Sequence, residues 1–349
     1  MKIAVLLSGG VDSSVALRLL KEEGHDITAF YLKIWLQDEF SYLGDCPWEE
    51  DLNFARAVCE QADVPLEVIP LQNEYWDYVV SYTISEISEG RTPNPDIFCN
   101  SLIKFGQFFN KVGDSFDKVA SGHYAIVENR DDKYFLRRSP DPIKDQTYFL
   151  AYLKQLQLSN VLFPIGKYNK SEIRSIAQKF DLPNKDRKDS QGICFLGKIK
   201  FSDFIKHHLG DKPGEIIDIE TGKVIGMHNG YYYYTIGQRS GLKLGGGPWF
   251  VVEKDVTNNK VLISKNYELV DKDKDHFKVT KFNWFNNKPS SENVLVKIRH
   301  GERIIKGKLL FEDDNFGTVY LESADRGIAP GQFAVFYEED YCLGGAVIL

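Results

Sequence analysis

Apolar positions in the first half of the chain alternate between two kinds of run. Residues 3–7 form an unbroken apolar stretch, whereas Val15, Leu17, Leu19 and Leu20 recur at helical spacing until Gly24 closes the segment. The same alternation continues. Residues 27–32 read as a strand, 51–62 as a helix and 66–69 as a strand. Trp76, Val79, Val80 and Ile84 give one face of a helix over 74–89, and 117–121 is another short strand. Short apolar strands separated by amphipathic helices predict a parallel sheet covered on both faces. Helices are also expected over 145–158 and 170–180, the second stopped near Pro183. Residues 185–200 are polar, contain glycine and read as a long loop.

The pattern changes after about residue 210. Glycine, tyrosine and valine become frequent, with alternating stretches at 231–234, 249–253 and 261–264. From 276 onward six or so short strands are expected, among them 278–282, 294–298, 306–311, 317–322 and 333–337, which predicts a small β-barrel.

Composition adds limits. The 349 residues exceed one ordinary core, so two or three domains are expected. No apolar run is long enough to span a membrane, and no basic, apolar leader precedes the first strand, so a cytoplasmic protein or an organellar one without its transit peptide is expected. The net charge of −7 counts against a nucleic-acid partner unless a local basic face does the binding. Basic residues do gather at Lys185-Asp186-Arg187-Lys188 and from Lys297 to Lys308. Such clusters are more commonly solvated faces. The five cysteines, Cys46, Cys59, Cys99, Cys194 and Cys342, form no C-x-x-C pair, which suits neither a disulfide framework nor a zinc or iron–sulfur site. Reduced thiols follow, either buried fillers or reactive groups.

Chemistry concentrates in three segments. Ser8-Gly9-Gly10-Val11-Asp12-Ser13-Ser14 joins the first strand to the first helix. Glycines there let backbone approach a phosphate, and a helix N-terminus offers free N–H groups. The segment lacks the lysine of G-x-x-x-x-G-K-[ST] and lacks G-x-G-x-x-G. It carries S-G-G-x-D-S, the signature of ATP-pyrophosphatase loops, which cleave ATP between its α and β phosphates. The alternative is a glycine-rich β–α turn. Asp12 would meet phosphate only through a bridging Mg2+. In the second segment Pro93 and Pro95 stiffen the chain ahead of Asp96, which is expected to cap a helix through Leu102, Ile103, Phe105 and Phe108, with Cys99 in its first turn. The helix dipole would favour a thiolate there. The third segment, Lys188 to Phe195, places Cys194 on the long polar loop. Cys46, Cys59 and Cys342 are expected to be structural.

Ordered along the chain with these are Ser121-Gly122-His123-Tyr124, Lys144 to Leu150, Thr235 to Arg239 with Gly241-Leu242, Pro330-Gly331-Gln332 and Cys342 to Gly345. Together they resemble the bacterial and organellar tRNA-specific 2-thiouridylases over essentially the whole chain. The resemblance implies an α/β fold: a parallel-sheet ATP-pyrophosphatase domain over 1–200, a small central domain over 201–275 and a C-terminal β-barrel over 276–349. It implies that ATP adenylylates O2 of the wobble uridine, with Mg2+ as cofactor. Cys194 then carries a persulfide, supplied by a sulfur-relay donor protein, Cys99 resolves it through a Cys99–Cys194 disulfide, and Asp96 acts as acid or base. A route through hydrosulfide is also compatible.

By the same match, ATP would meet Leu6, Leu7, Ser8, Gly9, Gly10, Val11, Asp12, Ser13, Leu32 and Gly122. The target base would meet Asn94, Pro95 and Asp96. The tRNA, of the Lys, Glu and Gln acceptors, would meet His123, Lys144, Asp145, Gln146, Arg299, His300 and Gln332. Two other functions stay open: an ATP-pyrophosphatase amide or guanidine ligase, which needs no paired cysteines, and a non-catalytic RNA- or nucleotide-binding protein.

Overall fold

The computed structural model describes residues 1–34, 48–189, 200–266, 275–325 and 327–349. Cys46 and Cys194 lie outside the described residues. The chain opens with β1 (Lys2–Leu6), α1 (Val11–Glu22), β2 (Asp26–Lys33), α2 (Trp48–Ala62) and β3 (Leu66–Pro70). Two long helical runs follow, α3 (72–88) and α4 (95–112), and each contains a π-helical stretch, Trp76–Val80 and Cys99–Gln107. Next come β4 (Lys118–Ala120), a hairpin of β5 (Ala125–Arg130) and β6 (Lys133–Arg138), the short helices α5 (Thr147–Leu150) and α6 (Gln155–Asn160), β7 (Val161–Leu162) and α7 (Lys170–Lys179). Beyond 200 are α8 (Phe201–Leu209), β8 (Gly214–Asp218), β9 (Val224–His228), β10 (Phe250–Asp255) and β11 (Lys260–Ser264). The last strands are β12 (His276–Trp284), β13 (Asn293–Lys297), β14 (Ile305–Phe311), β15 (Phe316–Leu321), β16 (Phe333–Glu338) and β17 (Tyr341–Ile348).

The first sheet is parallel, in the order β3-β2-β1-β4-β7. Residues 3–6 of β1 are all buried, as a strand covered on both faces requires. One face packs with α1 and α2 through Leu17, Leu20, Leu52 and Ala55, the other with α3 and α4 through Tyr75, Val79, Ile103 and Phe108. A second sheet, β10-β11-β8-β9, follows α8. The last six strands close into a barrel in the order β12-β15-β14-β13-β16-β17, with β12 pairing back onto β17. The expected fold class is therefore the observed one.

Three local expectations fail for identifiable reasons. The helix expected over 145–158 is two short helices, because Asn283 of β12 donates to the carbonyls of Ala151 and Leu153 at 2.9 Å each and the barrel takes those acceptors. Tyr231–Tyr233 is a 3₁₀ turn rather than a strand. Four like residues fit any period, and here the hydroxyls of Tyr232 and Tyr233 bond Gly210 O at 2.8 and 2.9 Å. The β5–β6 hairpin was not expected at all. Its turn puts Asp131 and Asp132 at φ +50 and +60, the left-handed pair that a two-residue hairpin needs. Through β6 it pairs with β17, so the first 200 residues contribute two strands to the barrel's sheet.

Candidate active site

In a doubly wound sheet ligands bind beyond the carboxyl ends of the strands, where the strand order reverses. That point lies between β1 and β4. The Ser8–Ser14 loop follows β1, and Gly122 follows β4. A Cβ on Gly122 would fall 2.6 Å from Ser13 N and 2.7 Å from Asp12 C, so only glycine lets the two loops close on each other. Gly9 has φ +76, and its missing side chain faces Asp51 O at 2.1 Å. The loop is braced internally: Ser13 Oγ and Ser14 Oγ donate to Gly10 O at 3.0 and 2.9 Å. It is also braced from outside. Asn184 Nδ2 and Arg187 Nη1 donate to Gly9 O at 2.8 and 3.1 Å. That fixes the carbonyl beside the α1 N-terminus, whose first N–H groups have no partner within the helix. Leu6 and Leu7 are buried in the sheet's two cores, and Leu32 is half-buried.

Asp12 does not stand alone. Lys170, the first residue of α7, donates to its two oxygens at 2.7 and 2.9 Å, and Tyr124 OH donates at 2.9 Å. Burial, reinforced by Asp12, pushes the Tyr124 phenol well above its usual range. Lys170 also lies 2.7 Å from Asp189, which in turn meets Lys144 at 2.6 Å and Arg174 at 2.8 Å. Burial alone would raise the Asp189 carboxyl, but Lys144 and Lys170 outweigh it and hold it at about 2. Tyr124, Lys170, Asn184 and Arg187 escaped the sequence reading as site residues. The 185–188 basic cluster and the match at Tyr124 were the available signals.

Cys99 lies in α4, at the start of its π-helical stretch. Asn94, not Asp96, occupies the N-cap position, without a capping bond, and Pro95 opens the helix. Asp96 is therefore the second helical residue, and Cys99 falls just past the first turn instead of in it. Pro at the first position wants no N–H partner, which is why the helix starts two residues earlier than expected. Cys99 is 2 % exposed, among the core side chains that include Ile97 and Ile103. The π stretch leaves the carbonyls of Ser101 and Phe105 to the side chain of Gln157, at 2.7 and 2.8 Å. Cys59 and Cys342 are buried. Burial pushes the Cys59 thiol up to about 12, aided by Glu60, and raises Cys342 further.

The segment 144–150 ties the parts together. Lys144 meets Asp189. Gln146 exchanges bonds with Tyr124, its N–H donating to Tyr124 O at 2.9 Å and its Oε1 accepting from Tyr124 N at 3.0 Å. Asn100 Nδ2 donates to Phe149 O at 3.2 Å, and the Phe149 ring lies 4.7 Å from the exposed His300 ring. Tyr148 OH donates to Ile298 O and Phe333 O in the barrel. Arg299 is exposed beside the buried Asp325, at 3.3 Å.

Three residues expected at RNA make internal contacts. Asp145 is fully buried and paired with the equally buried Lys297 at 2.8 Å, with Thr147 Oγ1 at 3.0 Å from both its oxygens. Its side chain fastens the segment to the barrel. His123 is 8 % exposed, packs in a triangle with the Phe105 and Phe163 rings and bonds Ser121 Oγ at 2.7 Å. Burial, with Lys104 nearby, lowers its pKa well below the usual histidine value. Gln332 turns its amide toward the backbone ahead of Asp96, donating to Thr92 O and Pro93 O at 3.1 and 3.0 Å.

Comparison with known proteins gives three consecutive matches to family models. They are described as the tRNA methyl transferase HUP domain over residues 1–198, the tRNA methyl transferase PRC-barrel domain over 202–265 and the aminomethyltransferase beta-barrel domain over 274–348. The tRNA-specific 2-thiouridylase MnmA of Parabacteroides distasonis is 45% identical over 359 residues, covering 100% of this chain and 99% of the relative. MnmA 2 of Bacteroides fragilis is 48% identical over 355 residues, covering 100% of both. MnmA of Porphyromonas gingivalis is 46% identical over 362 residues, covering 100% and 99%. With identity at this level along its whole length, the chain belongs to the tRNA-specific 2-thiouridylase family.

Proposed function

We propose that the protein is a tRNA-uridine 2-sulfurtransferase that spends ATP to exchange the C2 oxygen of the wobble uridine for sulfur. The observation that carries this reading is the pairing of a braced phosphate loop at the sheet's switch point with a cysteine, Cys99, just inside the neighbouring helix α4.

The C2 carbonyl of uracil is a weak electrophile with a poor leaving group. Attack of O2 on the α-phosphate of ATP forms a C–O–P linkage and releases pyrophosphate. The α1 N-terminus and the Ser8–Ser14 N–H groups supply the positive field for the phosphates. Asp12 is a single carboxylate, and Mg2+ commonly takes one or two carboxylates together with substrate phosphates. Asp12, held on both oxygens by Lys170, would have to share its carboxylate with the ion, and a bound Mg2+ would offset phosphate charge there. Leu32 and Gly122 flank the nucleotide.

The terminal sulfur of a Cys194 persulfide attacks C2, and AMP departs with the former O2. Cys99 thiolate then attacks Cys194 Sγ. The S–S electron pair stays on the sulfur bonded to C2, giving 2-thiouridine and a Cys99–Cys194 disulfide, which a thiol reductant must reopen. Asp96, beside the target base with Asn94 and Pro95, moves the proton. A sulfur-relay protein reloads Cys194, and Lys144, Gln146, Arg299 and His300 meet the tRNA, of the Lys, Glu and Gln acceptors. Reading a base this way requires it to leave its stack.

The test is AMP release. AMP should form from ATP only with an unmodified acceptor tRNA, at one AMP per 2-thiouridine. AMP formation that needs no tRNA, or tRNA binding with no ATP use, would reject the reading.

A further inference from the structure

The peptide joining Gly9 to Gly10 lies where the chain leaves β1 for α1. Two glycines leave it free to turn over, because no Cβ on either side opposes the rotation. Its orientation matters to an anion. In a planar trans peptide the C=O and the N–H point in opposite directions, so turning it over exchanges a donor for an acceptor. One orientation offers a phosphate the Gly10 N–H. The other offers the Gly9 oxygen, which repels it.

The structure holds one orientation. Gly9 O accepts from Asn184 Nδ2 at 2.8 Å and from Arg187 Nη1 at 3.1 Å. Gly9 is buried, and the Gly10 N–H turns the other way, toward the Oγ of the exposed Ser8 at 3.4 Å. Both donors come from one turn, closed by Arg187 N donating to Asn184 O at 3.0 Å. Arg174 fastens that turn to α7, donating to Lys185 O and Arg187 O at 2.9 and 2.6 Å.

Packing alone does not call for these donors. Asn184 is 1 % exposed, and its second amide hydrogen goes to Ser14 Oγ at 2.9 Å. Its Oδ1 has no hydrogen-bond partner among the described residues. An apolar side chain would fill the space without a buried unpaired acceptor, so the amide is explained by what it donates. Arg187 is itself fixed from α2, by Asp51 on its other nitrogen and by the Phe54 ring 4.9 Å away. Asp51 O would lie 2.1 Å from a Cβ at position 9, so a bulkier residue cannot stiffen the peptide there. The restraint has to come from outside the loop.

We propose that Asn184 and Arg187 are positioning residues that lock the Gly9–Gly10 peptide with its N–H toward the phosphates of ATP. This rests on the reading of Ser8–Ser14 as the ATP loop. A carbonyl oxygen has two lone pairs, and the two side chains share one such oxygen. Either alone keeps most of the orientation, and loss of both releases it.

The test uses the full chain with Asn184→Ala, Arg187→Met and the two combined, without tRNA. Calorimetric titration gives the Kd for ATP and for adenosine, which carries no phosphate. Each single change should weaken ATP about threefold, and the pair about 30-fold or more, beyond the product of the singles. Adenosine should stay within about twofold. Asn184→Ala alters no charge, so its effect is not a lost positive field. Arg187→Lys, which keeps a donor, should lie closer to wild type than Arg187→Met. If the double variant does not fold, each single variant should still weaken ATP and spare adenosine.

Parallel weakening of ATP and adenosine would make the two residues general supports of the fold and overturn the proposal. So would an unchanged ATP Kd in the double variant, or a double effect equal to the product of the singles. If the wild-type chain bound no ATP, the ATP-loop reading would fall. Hydrogen exchange of the peptide covering 8–14 would still report on the lock, since it should run about fivefold or more faster in the ligand-free double variant. Unchanged exchange would deny the lock.

Discussion

Asp12 and Asp189 grip one ammonium group, that of Lys170, at 2.7 Å each. Asp12 belongs to the loop after β1, and Asp189 is the last described residue before the segment that carries Cys194. One cation therefore joins the loop after β1 to the start of the segment proposed to carry sulfur. Lys144, on the other Asp189 oxygen, adds a further charge to the chain at 2.6 Å.

Lys170→Met should leave Asp12 facing the phosphates without its counter-charge. A charged hydrogen bond is worth about 1.5–3 kcal/mol, so kcat/KM for ATP should fall about 10–100-fold. Lys170→Arg should recover part of the loss. Initial rates of tRNA-dependent AMP formation measure this, and an unchanged kcat/KM in Lys170→Met would remove Lys170 from the ATP site.

Asp189 gives a pH-dependent signature. Its carboxyl is depressed to about 2 from 3.8, so its ties stabilise the fold fully above about pH 4 and are lost as pH falls toward 2. In urea unfolding, Asp189→Asn should be less stable than wild type at neutral pH, with the gap closing between about pH 4 and 2. A gap that stays constant through that window would contradict the assigned ion pairs.

His123 carries the same sign for a different reason. The buried imidazole resists protonation, while the unfolded chain takes a proton near 6.5. Stability is therefore complete above about pH 6.5 and declines below it, by up to about 1.4 kcal/mol per pH unit. His123→Gln should flatten the decline between about pH 6.5 and 5. Equal slopes for both proteins would show that His123 is solvated.

Lys297 and Asp145 are both fully buried, so each depends on the other. Lys297→Met leaves the carboxylate only Arg138, at 3.6 Å, as counter-charge and should destabilise by about 3–5 kcal/mol. Adding Asp145→Asn should restore a large part, because an amide is cheaper to bury than an unpaired charge. Denaturant midpoints for the two single variants and the double variant test the coupling. Strict additivity would mean that the pair does not interact.

Strand–helix alternation was legible in the sequence because β1 and α1 bury their apolar residues against neighbours in the same unit. The phosphate loop was legible because glycine and serine at that spacing are demanded by local backbone geometry. Residues whose partners come from elsewhere were harder to read. Asp145 in its motif looks like a polar surface residue, and only Lys297, brought in by the barrel, makes it a buried ion. Asn283 breaks the helix expected over 145–158 from outside it. Gln332 gives no sign in sequence that its amide turns inward to Thr92 and Pro93. His123 gives no sign in sequence that the Phe105 and Phe163 rings pack against it.

The account stands or falls on sulfur reaching uridine C2. Unmodified acceptor tRNA should be incubated with the protein, ATP, Mg2+ and a persulfide donor, which passes its outer sulfur to a thiolate by exchange, then digested to nucleosides for mass spectrometry. The expected product is 2-thiouridine, absent without ATP and absent with Cys194→Ala. Full thiolation by both Cys99→Ser and Cys194→Ser, or no 2-thiouridine from the wild-type chain, would contradict it.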